Sequence, residues 1–130
     1  VRPRVHERKG VREAQQAVQL GDTTARAHVV SELALLGRMA DARRELPAVL
    51  ALAPQQQGSR FSLMLMHAAL GNLDEAFKAL DLSLANRDAT MFTMLWIFQS
   101  TALPAPFARL RDDPRFADFQ RRVHQPAQAR

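Results

Sequence analysis

The chain has 130 residues, 47% of them hydrophobic, with no Cys and no Tyr. That length holds one domain with a modest core, and the lack of Cys excludes a disulfide frame and a thiolate metal site while fitting a cytosol and a periplasm alike. The formal net charge of +5 gathers at the ends, Arg2, Arg4, Arg8, Lys9 and Arg12 at the start and Arg109, Arg111, Arg115, Arg121, Arg122 and Arg130 at the finish, so it describes two termini rather than one binding face.

In chain order, residues 1–10 are charged, contain Pro3 and Gly10 and show no apolar period, as expected of a linker or a frayed end. The chain opens at Val1 with no basic, apolar leader, so it is expected to be a segment of a longer protein. Val11 to Leu20 reads as a short helix with Ala14, Ala17 and Val18 on one face, ending at Gly21. Asp22, Thr23 and Thr24 offer side-chain acceptors for the first turn of the next helix, which runs to about Leu36 before Gly37. A partner helix follows from about Ala40 and ends before Pro54. Pro47 inside it removes one backbone bond and crowds the carbonyl of Arg43, so a kink is expected there.

The plan then repeats. A helix from about Ser59 to Leu70, a Gly71-Asn72 turn and a helix from about Leu73 to Ala85 stand 34 residues after their counterparts, as Gly71 stands after Gly37. The same offset pairs Val29 with Leu63, Val30 with Met64, Leu46 with Leu80 and Leu50 with Leu84, so apolar positions recur in register along both helices. Asp88 is placed to cap a further helix, about Ala89 to Ser100. Its run from Met91 to Phe98 is broken by Thr93 and is far shorter than the ~20 residues of a membrane span. Asp113 before Pro114 marks a last helix reaching about His124, and the Gln, Pro and Ala residues at 125–130 read as a disordered tail.

With these residues the chain resembles a tetratricopeptide repeat protein: turn glycines at Gly37 and Gly71, small residues at Ala42 and Ala76, and a closing proline at Pro54. The departures are Arg26 and Arg60 where the family favours aromatics, Leu33 and His67 at its tyrosine-like position, and Asp88 where a second closing proline would stand. The ending Leu110-Arg111-Asp112-Asp113-Pro114-Arg115-Phe116 resembles a capping segment of the LRxDPRF type found in bacterial repeat proteins, often in regulators. The resemblance implies an all-α, right-handed superhelix of antiparallel helical hairpins, an α-solenoid, in one domain over 11–124. Its hairpins would span about 23–54 and 57–87, with a third partial unit and cap at 88–124.

Patterns that carry chemistry are absent from the sequence. His6, His28, His67 and His124 are scattered, and the five glycines are isolated, so neither a metal set nor a phosphate cradle is indicated, and no cofactor or catalytic residue is expected. Asp74-Glu75 and Asp112-Asp113 sit at expected helix starts, where they offset the helix dipole. In the resembled family the first helices line a concave groove, which here would hold Ala27 and Ser31, then Phe61 and Leu65, without the Lys and Asn of a carboxylate clamp. The expected partner groove is Phe61, Leu65, Phe92, Leu95, Trp96 and Gln99, fitted to an apolar or amphipathic peptide or helix because Met64, Met66 and Met94 nearby adapt in shape. The chain's own tail, through Phe107, Leu110, Phe116 and Phe119, is the competing occupant. The function expected is a non-enzymatic protein-interaction scaffold with cytoplasmic placement and room for self-association. The alternative is a basic segment that touches nucleic acid through its arginine-rich ends.

Overall fold

The computed structural model describes residues 11–13, 15–16, 25–53, 56–57, 59–89, 95–99 and 102–124, and the expected linker and tail lie outside them. The described elements are helical throughout: α1 Arg26–Leu35, α2 Met39–Leu50, α3 Arg60–Ala69, α4 Leu73–Ala85, a 3-10 turn Leu95–Gln99, α5 Ala105–Asp112 and α6 Pro114–Val123. Residues 11–13 and 15–16 are also helical, and Val11 is buried in the core.

The repeated turn has a local cause. At the end of α1 the Gly37 N–H donates to the Ala34 carbonyl and the Arg38 N–H to the Leu33 carbonyl, at 3.1 and 2.9 Å. At the end of α3 the Gly71 N–H donates to Ala68 and the Asn72 N–H to His67, at 3.0 and 2.8 Å. This double closure satisfies carbonyls that the helix leaves unpaired, and it requires a left-handed residue at the corner. Both glycines have φ +82°, and a Cβ at either would meet nothing within 4 Å, so the backbone angle and not space selects glycine. The end of α4 closes the same way, Arg87 N–H to Leu84 and Asp88 N–H to Ser83, with Arg87 held at φ +53°.

Helix starts follow local chemistry less uniformly. The Ser59 hydroxyl accepts the Ser62 N–H at 3.0 Å at the start of α3. The residue capping α1 is Ala25, which has no side-chain cap bond, and the candidate caps at 22–24 lie outside the described residues. Asp74 and Glu75 occupy the first turn of α4, as expected. Pro47 lies inside α2 on an exposed position, and α2 runs only three residues further, to Leu50.

Packing is built from pairs. Helices α1 and α2 pack together, as do α3 and α4, and α1 lies against α3. Ala42 and Ala76 are fully buried, so each hairpin closes on a methyl group where a larger side chain would hold the helices apart. At the 34-residue offset Val30 and Met64 are both fully buried, whereas the buried Val29 and Leu80 answer to Leu63 and Leu46, which are half-buried against the core. Leu50 breaks the register: at the last position of α2 it is 53% exposed, while Leu84, its counterpart inside α4, is half-buried.

The expected third helix at 89–100 begins as expected, with Ala89 helical after Asp88, and is corrected by the structure over 95–99. Leu95–Gln99 is a 3-10 turn, and the carboxylate of Asp88 receives two hydrogen bonds from Arg60, at 3.0 and 2.8 Å. Two departures from the resembled family, at 60 and 88, are thus one ion pair. The helix that packs on α3 is α5, which was not expected: Pro104 and Pro106 shape its first turn without losing a needed donor, and Arg109 and Arg111 face the negative end of its dipole. Helix α6 packs on α4 and on α5, and the 3-10 turn packs on α5. Asp112 accordingly ends α5, and Asp113 alone of that acidic pair begins α6.

Because Arg87 carries a left-handed backbone that its Cβ disfavours, Arg87→Gly should stabilise the fold by about 1 kcal/mol, whereas Gly37→Ala and Gly71→Ala should each destabilise it by about 1 kcal/mol. Urea midpoints of the three variants check this, and midpoints that all match the parent would show that the corners store no strain.

Candidate interaction surface

The C-terminal segment is joined to the second hairpin by several side-chain hydrogen bonds. Asp113 has extended backbone, φ −70° and ψ 134°, and is the single residue between α5 and α6. Its Oδ1 accepts the Arg115 N–H at 2.9 Å, pairing a donor in the first turn of α6. The Arg115 guanidinium returns to the same carboxylate through Nε and Nη2, both at 3.1 Å, and donates through Nη1 to Asp74 Oδ1 at 2.7 Å. It also lies 4.4 Å over the Phe77 ring. The hydrogen bonds from the Arg115 side chain and backbone hold the Asp113 carboxyl below its ordinary range. Two turns further along α6, Arg122 donates through Nη2 to Asp81 Oδ1 at 2.7 Å and lies 3.2 Å from Asp118 through Nε.

Under this rim of charge lies an aromatic cluster. Phe98, Phe107, Phe116 and Phe119 are each no more than 9% exposed, and Leu110 is fully buried. Phe98 meets Phe107 edge-on at 6.5 Å and Phe116 at 5.4 Å, and Phe116 meets Phe119 at 6.3 Å between ring centres. The segment from Leu110 to Phe116 therefore works as a docking device: Leu110 and Phe116 enter the core, Asp113 and Pro114 start the helix, and Arg115 binds the neighbouring hairpin.

The six groove residues expected from the sequence are placed as follows. Phe61 and Leu65, four apart on α3, are half-buried against the core, and Ala27 and Ser31, their counterparts on α1, are buried. Trp96 and Gln99 are exposed on the 3-10 turn, Trp96 at 65%. Leu95 belongs to that turn by its backbone, its side chain lies outside the description, and Phe92 lies outside the described residues. Both α3 and the 3-10 turn pack against α5, whose Phe107 and Leu110 are buried. The tail residues named as competing occupants are thus all inside the core, and what protrudes is Trp96, carried on a turn anchored by the buried Phe98.

Sequence reasoning missed Arg115 and the Arg60–Asp88 pair, because a cation's partner 41 or 28 residues away leaves no local pattern. Most arginines of the C-terminal end are already engaged by carboxylates: Arg111 by Asp112, Arg115 by Asp74 and Asp113, Arg121 by Asp118, and Arg122 by Asp81 and Asp118. Among the described residues these four arginines would have to leave a carboxylate to meet phosphate. A shallow depression of about 510 Å³ is lined by Gly71, Asn72, Leu73, Asp74, Glu75 and Arg115, so the Asp74–Arg115 pair forms part of its wall. Among the described residues no three His, Asp or Glu side chains gather as metal ligands, and no helix is long and apolar enough to cross a membrane. No family model, curated protein or solved structure matches the chain.

His67, near the end of α3, has its Nδ1 buried without a hydrogen-bond partner. Burial lowers its pKa below the ordinary 6.5, and the nearby Glu75 only partly opposes this. The folded chain thus takes up the proton at lower pH than the unfolded chain does. Between the lowered value and 6.5 the unfolded state binds more protons, so stability rises with pH through that window, is complete above 6.5, and is lost as pH falls to the folded value. Replacing His67 by Leu, the residue at the corresponding position 33, should flatten that dependence. Melting temperatures of parent and His67→Leu compared between pH 5 and 7 test it, and equal slopes would show that another group is responsible.

Proposed function

We propose that the chain is a protein-interaction module without catalytic activity, a tetratricopeptide-like right-handed superhelix of helical hairpins forming the repeat portion of a larger bacterial regulator. Its partner is an apolar or amphipathic peptide or helix, and the contact is centred on Trp96, with Gln99, Phe61 and Leu65 contributing and Phe92 and Leu95 assigned to it from the sequence alone. The observation that carries this reading is the exposure of Trp96. A large aromatic left 65% in solvent forgoes the burial energy that folding could supply, and it stands two residues before the buried Phe98 on the same turn, a placement that suits a binding anchor. The 34-residue recurrence of the Gly37 and Gly71 corners supports the family reading.

Trp96 is the sole tryptophan, so its own fluorescence reports the contact. Titration with an amphipathic leucine-rich peptide should shift the emission to the blue and saturate, and Phe61→Ala should weaken the binding by about 2 kcal/mol, the range of interface hot spots. Trp96→Ala should leave the melting temperature unchanged. If a single-stranded oligonucleotide produces the shift with a steep salt dependence while the peptide does not, the electrostatic alternative takes the place of this reading.

A further inference from the structure

We propose that the surface around Trp96 selects an acidic amphipathic helix, with Arg87 and Arg109 reading its carboxylates; the inference rests on Trp96 being the point of contact. Carboxylates are absent from residues 46–73 and 89–111, the stretches between Glu45 and Asp74 and between Asp88 and Asp112. Those stretches supply all of α3, the 3-10 turn and α5 up to its last residue. The fold then brings them together, since α3 and the 3-10 turn both pack on α5. Phe61, Leu65 and Trp96 therefore stand on acid-free elements, while the acids stand on the other helices.

The arginines of these elements and their borders divide in two. Arg60 is held by Asp88 and Arg111 by Asp112, at 2.8 and 3.2 Å. Arg87 and Arg109 are exposed and joined to no carboxylate among the described residues. Arg87 precedes Asp88, whose carboxylate binds the arginine that precedes Phe61, which ties it to the start of α3. Arg109 belongs to α5, two residues after the Phe107 that meets Phe98 of the turn bearing Trp96. One cation is thus tied to the α3 end of the surface and one to the turn end. Arg87 also keeps a left-handed backbone, φ +53°, where glycine would be unstrained. Strain retained at an exposed charge with no carboxylate in its own fold points to a partner outside it. A basic helix would set like charge against both arginines, so the surface selects by charge as well as by apolar fit.

The test titrates the full chain, followed by Trp96 emission, with two helical peptides that share one leucine stripe and carry Glu or Lys on the polar face. The Glu peptide should bind about ten-fold tighter at low salt, as two exposed ion pairs allow. The gap should close near 1 M salt, where the screening length falls to about 3 Å. Arg87→Gly/Arg109→Gln should erase the gap, and Arg87→Gly relieves backbone strain, so the loss would not come from unfolding. Arg12→Gln/Arg43→Gln removes the same charge from exposed positions on the N-terminal helical residues and α2, and should keep the gap. Equal binding of the two peptides, tighter binding of the Lys peptide, or a gap lost alike in both double variants overturns the proposal and leaves the Trp96 contact in place. If neither peptide moves the emission, the Trp96 reading fails and this inference falls with it.

Discussion

A helical hairpin presents more apolar surface than its two helices can bury between themselves, and the structure of this chain answers that constraint. Helices α3 and α4 close on each other through Ala76, then bury a second face against α1 and a third against the α5–α6 unit. The magnitudes show which force holds the last contact. Four phenylalanines taken out of water are worth roughly 1.5–3 kcal/mol each as an upper bound, whereas each exposed arginine–aspartate pair is worth about 0–1 kcal/mol. Aromatic burial therefore drives docking of the C-terminal unit, and the charges at its rim decide where along α4 it comes to rest.

The same division explains why Leu110 to Phe116 alternates so sharply in chemistry. Leu110 and Phe116 supply burial, Pro114 and Asp113 set the direction of α6, and Arg115 reaches back to hairpin two and to the acid that begins its own helix. Loss of any one part leaves the others without geometry, since Arg115 meets Asp74 only when α6 starts at Pro114. At the other side of hairpin two, the Arg60–Asp88 pair joins the start of α3 to the residue that follows the α4 corner. Hairpin two is in this way closed by a charged pair at one flank and by aromatic rings at the other.

What is left outside the packing gives the surface its character. Among the described residues the exposed large apolar side chains are Leu35, Leu50, Leu82 and Trp96, and the last is the most exposed of them. Leu35 and Leu50 fall at helix ends, where a side chain has fewer neighbours to cover it, and Leu82 faces outward from α4. Trp96 differs from them in standing on a turn whose next residue but one is fixed in the aromatic cluster. Ser83 shows the opposite compromise: it occupies the place that Val49 holds one repeat earlier, is fully buried, and leaves its hydroxyl without a partner.

The sequence by itself determined the local structure. The glycines at 37 and 71 and the Asp113-Pro114 start each act through a few neighbouring residues, so their results are legible without a fold. The extent of the 3-10 turn, the helix at Ala105–Asp112 and the half-buried state of Phe61 and Leu65 were decided by the tertiary structure. An apolar run such as Met91–Phe98 has no periodic polar face to declare its orientation, and its partners stand far away in sequence. Phe98 is buried because Phe107 and Phe116 arrive from the following helices, and Trp96 is left exposed because burial depends on which surfaces meet, a property that no window of neighbouring residues contains.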